Sequence, residues 1–308
     1  MATSDSPLNV PNVTLAVARL EPGGGGVSPP SGTDDGTGAE FFEDFEGLTV
    51  GDDITNTVFD SGFQVYAADD QASVGTKSAR FDNNDGGSQT GIQKNLSSML
   101  GQGDEIWVRL DARWQEGWLF NNNIGWKFMR VHTRPVGQSN AGYVDWYNCG
   151  GRRDQGLDSV AWYHRSEPEA DYDIRAAGSS RAADQIIPGE WHTYEMYVKF
   201  DTEGVDNGGT ALIRSWIDGV LLEEVRDIGT MADAAHEVDR VHICTFFNPP
   251  TSAPFESFDP VTEQTAASAG AETGSPQAQS MWIDRMMIRT NANPPVNTDS
   301  AGNLCIGV

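Results

Sequence analysis

The sequence has little that would tie it to a membrane, a metal cluster or a nucleic acid. None of its 308 residues fall in an apolar run approaching the roughly 18 that a spanning helix needs. Cysteine is scarce: Cys149, Cys244 and Cys305 have no metal-ligand spacing and cannot all pair, so buried free thiols are expected rather than a disulfide framework. The opening "MATSDSPLNVPNV" has neither a basic stretch nor an apolar core, so no secretory signal is read there. Positive charge is also short, with 20 Lys and Arg against 45 Asp and Glu and a formal net charge of −25, which repels nucleic acid. Half of those 20 basic residues lie between Arg109 and Arg181. That concentration predicts either an anionic ligand near this segment or an ion-paired groove.

Glycine and tryptophan are abundant, with 34 and 9 residues. Short alternating segments such as "EIWVRLDARW", "WKFMRVHTR", "AGYVDWYN", "EWHTYEMYVKF" and "SMWIDRMMIRT" recur between Gly, Asn, Asp and Pro clusters. This spacing predicts an all-β sandwich or jelly roll. "ALIRSWIDGVLLEEV" reads as a hairpin, because Asp218-Gly219 can adopt the positive φ angles of a tight turn. Residues 1–39 are a Gly/Pro/Ser-rich arm that cannot bury enough apolar surface to order itself, and are read as an extended segment anchoring the chain to other protein subunits. Residues 40–290 form the sandwich domain, and residues 291–308 a C-terminal tail.

Trp191 to Phe200, Trp216-Ile217-Asp218-Gly219, Thr245-Phe246-Phe247 and Trp282-Ile283-Asp284 follow one another in an order that resembles the concanavalin-A-like jelly rolls. Within these the chain is similar to the alginate and glucuronate polysaccharide lyases. The resemblance implies two antiparallel sheets, the concave one carrying a polysaccharide groove. It further implies an essential lysine in a Gly-x-Lys-x-Pro-Gly stretch and a later Tyr-x-Tyr strand supplying acid and base. Gly125-Trp126-Lys127 keeps the first part of that pattern, but Phe128-Met129-Arg130 replaces the continuation, and no Tyr-x-Tyr occurs. Strict alternation also puts Lys127 on the face of Met129 and Val131, so it reaches the groove only through a β-bulge.

Period-two alternation sets Ile106, Val108, Leu110, Ala112 and Trp114 inward and Arg109, Asp111 and Arg113 outward. By the same rule Arg130, His132 and Arg134 share one face, Tyr143, Asp145 and Tyr147 follow on the next strand, and the one after offers either Trp162 with His164 or Tyr163 with Arg165. Of these, Arg109, Asp111, Arg113, Arg130, Arg134, Asp145 and His164 are the expected ligand-binding set for a polysaccharide or cell-surface glycan. For cleavage by β-elimination, the catalytic candidates are Lys127, His132, Tyr143 and Tyr147, since the reaction needs a neutralised carboxylate, a base and an acid. Asp44, Glu46 and Asp284, on first and last strands that neighbour each other in such folds, are read as ligands of a structural calcium, and no other cofactor is required. The degenerate lyase motif and the anchoring arm together favour a non-enzymatic carbohydrate-binding protein on a virion surface, as capsid decoration or tail-associated protein. The alternatives are a lyase cleaving alginate or glucuronan, with an extracellular location, and a purely structural cement protein.

Overall fold

Asp218 and Gly219 both adopt positive φ, 51° and 73°, and reverse the chain between two paired strands. The remainder of the architecture grows from the same alternation. The computed structural model describes residues 34–84, 90–118, 125–135, 142–149, 161–169, 172–175, 188–204, 209–247 and 277–307. The proposed anchoring strand within residues 1–33 and most of the polar insertion at 250–280 lie outside them.

Every regular element among the described residues is a strand. In order they are β1 (Phe41–Glu43), β2 (Ser61–Phe63), β3 (Val65–Ala68), β4 (Ser78–Asn83), β5 (Gly91–Leu100) and β6 (Glu105–Trp114). Next come β7 (Gly125–Pro135), β8 (Gly142–Cys149), β9 (Ala161–Glu169), β10 (Tyr172–Arg175), β11 (Trp191–Lys199) and β12 (Ala211–Ile217). The last are β13 (Val220–Ile228), β14 (His236–Phe247), β15 (Gln279–Thr290), β16 (Asn297–Thr298) and β17 (Leu304–Cys305). An eight-stranded sheet runs β13-β12-β11-β6-β15-β4-β3, with β1 also paired to β15. A seven-stranded sheet runs β10-β9-β8-β7-β14-β5-β2. Both are antiparallel, and the chain crosses repeatedly between them, the connectivity of a jelly roll.

The inward set of β6 is fully buried, as its alternation requires. It meets Val131, Val144, Val241 and Ile243 from the seven-stranded sheet in one continuous core. At one end an aromatic group fills the space between the sheets. Trp114 and Phe128 have ring centroids 5.3 Å apart, Phe128 and Tyr194 5.1 Å, and Trp146 and Tyr194 5.8 Å. The Trp114 indole donates to the Tyr194 hydroxyl at 3.1 Å, which satisfies both buried polar groups.

Residues 291–307 pack on the outward face of the eight-stranded sheet. Cys305 and Ile306 close over Trp107, Tyr197, Trp216 and Met287 in a second apolar cluster. Burying Trp107 and Trp216 there stabilises this layer by about 2–3 kcal/mol each. The buried Glu195 carboxylate accepts the Ile306 and Gly307 amides at 2.6 and 3.1 Å, and Arg109 Nε donates to the Gly307 carbonyl at 2.9 Å. Cys244 and Cys305 are buried free thiols. Where the arm meets the domain, Arg289 donates to both oxygens of Asp34 and to the Thr37 carbonyl.

Candidate functional site

The site depends on one irregularity in β7. Lys127 pairs with Tyr147 of β8, but the next partnered residue, Met129, pairs with Trp146, leaving Phe128 as the extra residue of a bulge. Phe128 and Met129 are consecutive and both fully buried. The physical cause is the aromatic group described above, which takes the Phe128 ring into the core. As a result Lys127 leaves the face of Met129 and Val131 and stands half-buried on the outward face with Arg130 and His132. The register places Lys127, Tyr147 and Tyr163 in one transverse row across β7, β8 and β9.

The neighbouring rows hold a dense polar cluster. Arg130 makes a two-pronged pair with Asp145, one prong at 2.7 Å, and its guanidinium lies 3.8 Å over the Tyr143 ring. His132 meets Tyr143 edge-on at 4.9 Å and lies 5.8 Å from the His242 ring. Gly91 leaves room for that second histidine, since a Cβ there would stand 2.7 Å from His242 Nε2. Arg134 and Arg240 flank the cluster and share the Asp239 carboxylate at 3.3 and 3.1 Å. Arg240 also donates to Gln93 at 3.1 Å.

Burial opposes the charge on Arg130, but the Asp145 carboxylate outweighs it and holds the guanidinium above its ordinary pKa. The imidazoles go the other way. Burial, then the positive charge of Arg130, holds His132 well below the usual histidine value and pushes His242 down to about 3. Both rings are therefore neutral near pH 7. His132 is only 7% exposed, and neither of its ring nitrogens has a hydrogen-bond partner among the described residues.

The structure divides the ligand-binding set expected from the sequence. Arg130, Arg134 and Asp145 do come together, beside His132 and Tyr143 of the catalytic candidates and with Lys127 brought in by the bulge. Arg109, Asp111 and Arg113 belong to the other sheet. Arg109 and Asp111 are 2% and 3% exposed and bonded to each other at 2.8 Å, beneath the C-terminal segment and the loop before β4. The error has a plain cause: a polar outward face looks the same in sequence whether solvent or another segment covers it. His164 is also misplaced by strand-face reasoning, because it lies inside the sandwich with Nε2 3.1 Å from Ser215 Oγ. His242 and Gln93 were missed, and Tyr163 was offered only as one of two alternative faces; His242 alternates with Val241 and Ile243 in "RVHICT", a signal open to the period-two rule.

Asp44, Glu46 and Asp284 do not converge on a cation site. The Glu46 carboxylate accepts the Thr76 and Lys77 amides, Asp284 accepts the Ser73 and Val74 amides, and Asp44 accepts the Glu46 amide. These three clamp turns of the chain, the first two on the loop between β3 and β4. Among the described residues no group of three or more His, Cys, Asp or Glu is arranged to hold a metal ion. No helix there is long and apolar enough to cross a membrane.

The fold so assembled is a two-sheet jelly roll similar to that of solved alginate lyases. Alginate lyase Aly36B in complex with alginate tetrasaccharide superposes with a TM-score of 0.55 at 12% identity, covering 80% of this chain and 95% of that one. Its trisaccharide complex gives 0.53 at 13% identity, covering 82% and 98%. Both complexes are of variants in which a lysine became alanine, together with a tyrosine in the first and a methionine in the second. The endo-β-1,4-glucuronan lyase of the fungus Trichoderma reesei matches at 14% identity and a TM-score of 0.49, covering 82% and 95%. No family model matches the sequence, and no curated protein matches it. At such identities the likeness shows the fold, and the chemistry must be argued from the site.

Proposed function

We propose that the protein is a polysaccharide lyase that binds a uronate polymer across the outward face of its seven-stranded sheet and cleaves it by β-elimination. The observation that carries this reading is the bulge at Phe128, which sets Lys127 in one row with Tyr147 and Tyr163 beside the Arg130–His132–Tyr143–His242 cluster. In the proposed step, one tyrosine of the row, ionised under the influence of the Lys127 ammonium, takes the proton α to the sugar carboxylate. The electron pair forms the carbon–carbon double bond and the glycosidic C–O bond breaks. The second tyrosine protonates the departing oxygen. The His–Arg cluster seats the carboxylate whose charge must be offset for the α proton to leave.

Incubating the protein with alginate and with glucuronan, and following the ultraviolet absorbance of the unsaturated product, tests the reading. Turnover lost in Lys127→Ala is the expected result. A folded protein that binds either polymer without releasing unsaturated product would instead support a second reading, sugar binding alone. The specific observation favouring that second reading is that the sequence contains no Tyr-x-Tyr pair, Tyr163 being followed by His164 and Arg165. The likeness to lyases weighs on the side of cleavage rather than a particle-surface role, and the anchoring idea rests on residues outside the described ones.

A further inference from the structure

His132 presents an unmet demand. A neutral imidazole offers one donor and one acceptor, and burying either without a partner costs about 1–3 kcal/mol. Here both ring nitrogens lack partners and the side chain is nine-tenths buried. The groups around it explain why the ring stays uncharged. From its own strand Arg130 and Lys127 act on it, from β8 Tyr143 packs beside it and Asp145 pairs with Arg130, and from β14 come His242 and Arg240. Two carboxylates of this cluster are already engaged, Asp145 by Arg130 and Asp239 by Arg134 and Arg240. The cluster thus gathers cations around two neutral rings 5.8 Å apart, and neither nitrogen of His132 meets an acceptor among the described residues.

We infer that His132 and His242 form a carboxylate seat that takes up a proton when it is filled: an acidic sugar docks against the two rings, and one imidazole becomes charged with it. The inference rests on the uronate-binding reading of this face and adds the proton linkage to it. An entering carboxylate reverses each of the influences that keep the rings neutral. It supplies the missing acceptor, offsets the charge of Arg130 and Arg240, and leaves an imidazolium paired where a lone one was disfavoured. Reciprocity then requires that acid strengthen binding as much as binding strengthens proton uptake. For one proton taken up, affinity rises up to about tenfold per unit fall in pH, within the window between the free and the liganded pKa of the pair. The free limit lies at the depressed pKa of the rings, about 3 for His242, and uptake of one proton near pH 6 requires the liganded limit to lie above 6.

Calorimetric titration of the full chain carrying Lys127→Ala, which suppresses turnover, with a short mannuronate or glucuronate oligosaccharide tests this directly. The expected result is a binding heat that differs between two buffers of unlike ionisation enthalpy at one pH near 6, by an amount equal to uptake of about one proton. The same oligosaccharide with its carboxyl groups reduced to alcohols should bind without that difference. The half-buried His242→Asn should lower proton uptake while leaving the melting curve cooperative. Equal heats in both buffers, undiminished proton uptake by the reduced sugar, or failure of any uronate oligosaccharide to bind would each overturn the inference. The two proposals part cleanly. Proton-linked binding by a protein that yields no unsaturated product refutes the lyase assignment alone, and turnover by the unaltered protein without proton-linked binding refutes the seat alone.

Discussion

Replacing Glu223 by Gln should make the protein more stable at neutral pH and leave it nearly unchanged in mild acid. Glu223 sits on β13 opposite Ser215, inside the sandwich, 9% exposed, and neither carboxyl oxygen has a hydrogen-bond partner among the described residues. Its nearest basic group, His164 Nε2, is 3.8 Å away, and burial pushes that histidine down to about 3, so it brings no charge. Burial accordingly raises the Glu223 carboxyl well above its ordinary value of 4.5. The sign follows from proton counting: above 4.5 the unfolded chain releases a proton that the folded chain keeps, so stability falls as pH rises. The loss is about 1.4 kcal/mol per unit until the folded pKa is reached, which makes about 3 kcal/mol at pH 7 if the group is still protonated there. Glutamine keeps the shape without the titration and should recover most of that amount. Urea unfolding of both proteins at several pH values between 4.5 and 8 measures it, and the gain should grow with pH. A gain independent of pH would refute the argument, and a loss at pH 7 would refute it by showing an ionised Glu223 paired with a charged His164.

Acid should destabilise the fold from the opposite direction. A histidine held near 3 when folded accepts protons more readily once unfolded, so His164 alone removes about 1.4 kcal/mol per unit as pH falls below 6.5, and His164→Asn should flatten that limb of the pH–stability curve. Phe128→Ala should cost about 3–5 kcal/mol in chemical unfolding. By removing the ring that drives the bulge it should also depress turnover on uronate polymers, whereas Phe128→Leu should largely preserve both. Truncation before Val296 should uncover Trp107 and Trp216, seen as a red shift of intrinsic fluorescence and a lower unfolding midpoint, with cleavage at the opposite sheet retained.

The parts of the fold that were legible in the sequence are those that local geometry dictates. Asp218-Gly219 required a tight turn because few other pairs accept two positive φ angles, and β6 required an inward row because a strand has only two faces. The C-terminal segment was illegible for a related reason. Nothing in "NANPPVNTDSAGNLCIGV" marks it as the cover of a sheet until Glu195, buried on β11, is seen to accept the amides of Ile306 and Gly307. A buried carboxylate on a strand reads as a surface residue unless its distant partner is known.

The site follows the same division, and its most consequential feature lies on the illegible side. Arg130, His132 and Arg134 could be grouped by alternation, and Tyr143 and Asp145 by alternation on the next strand. The orientation of Lys127 could not, because it depends on whether Phe128 counts as a step of the pleat or as an insertion in it. Neither backbone propensity nor the flanking residues decide that; the space between Trp114, Trp146 and Tyr194 does, and one of those residues, Tyr194, comes from a strand remote in sequence. A core aromatic thus determines which face a surface lysine occupies. It follows that the fit of Gly125-Trp126-Lys127-Phe128-Met129 to a lyase motif cannot be judged residue by residue. A different continuation after the lysine still delivers it to the outward face, provided the core behind it has room for one large ring.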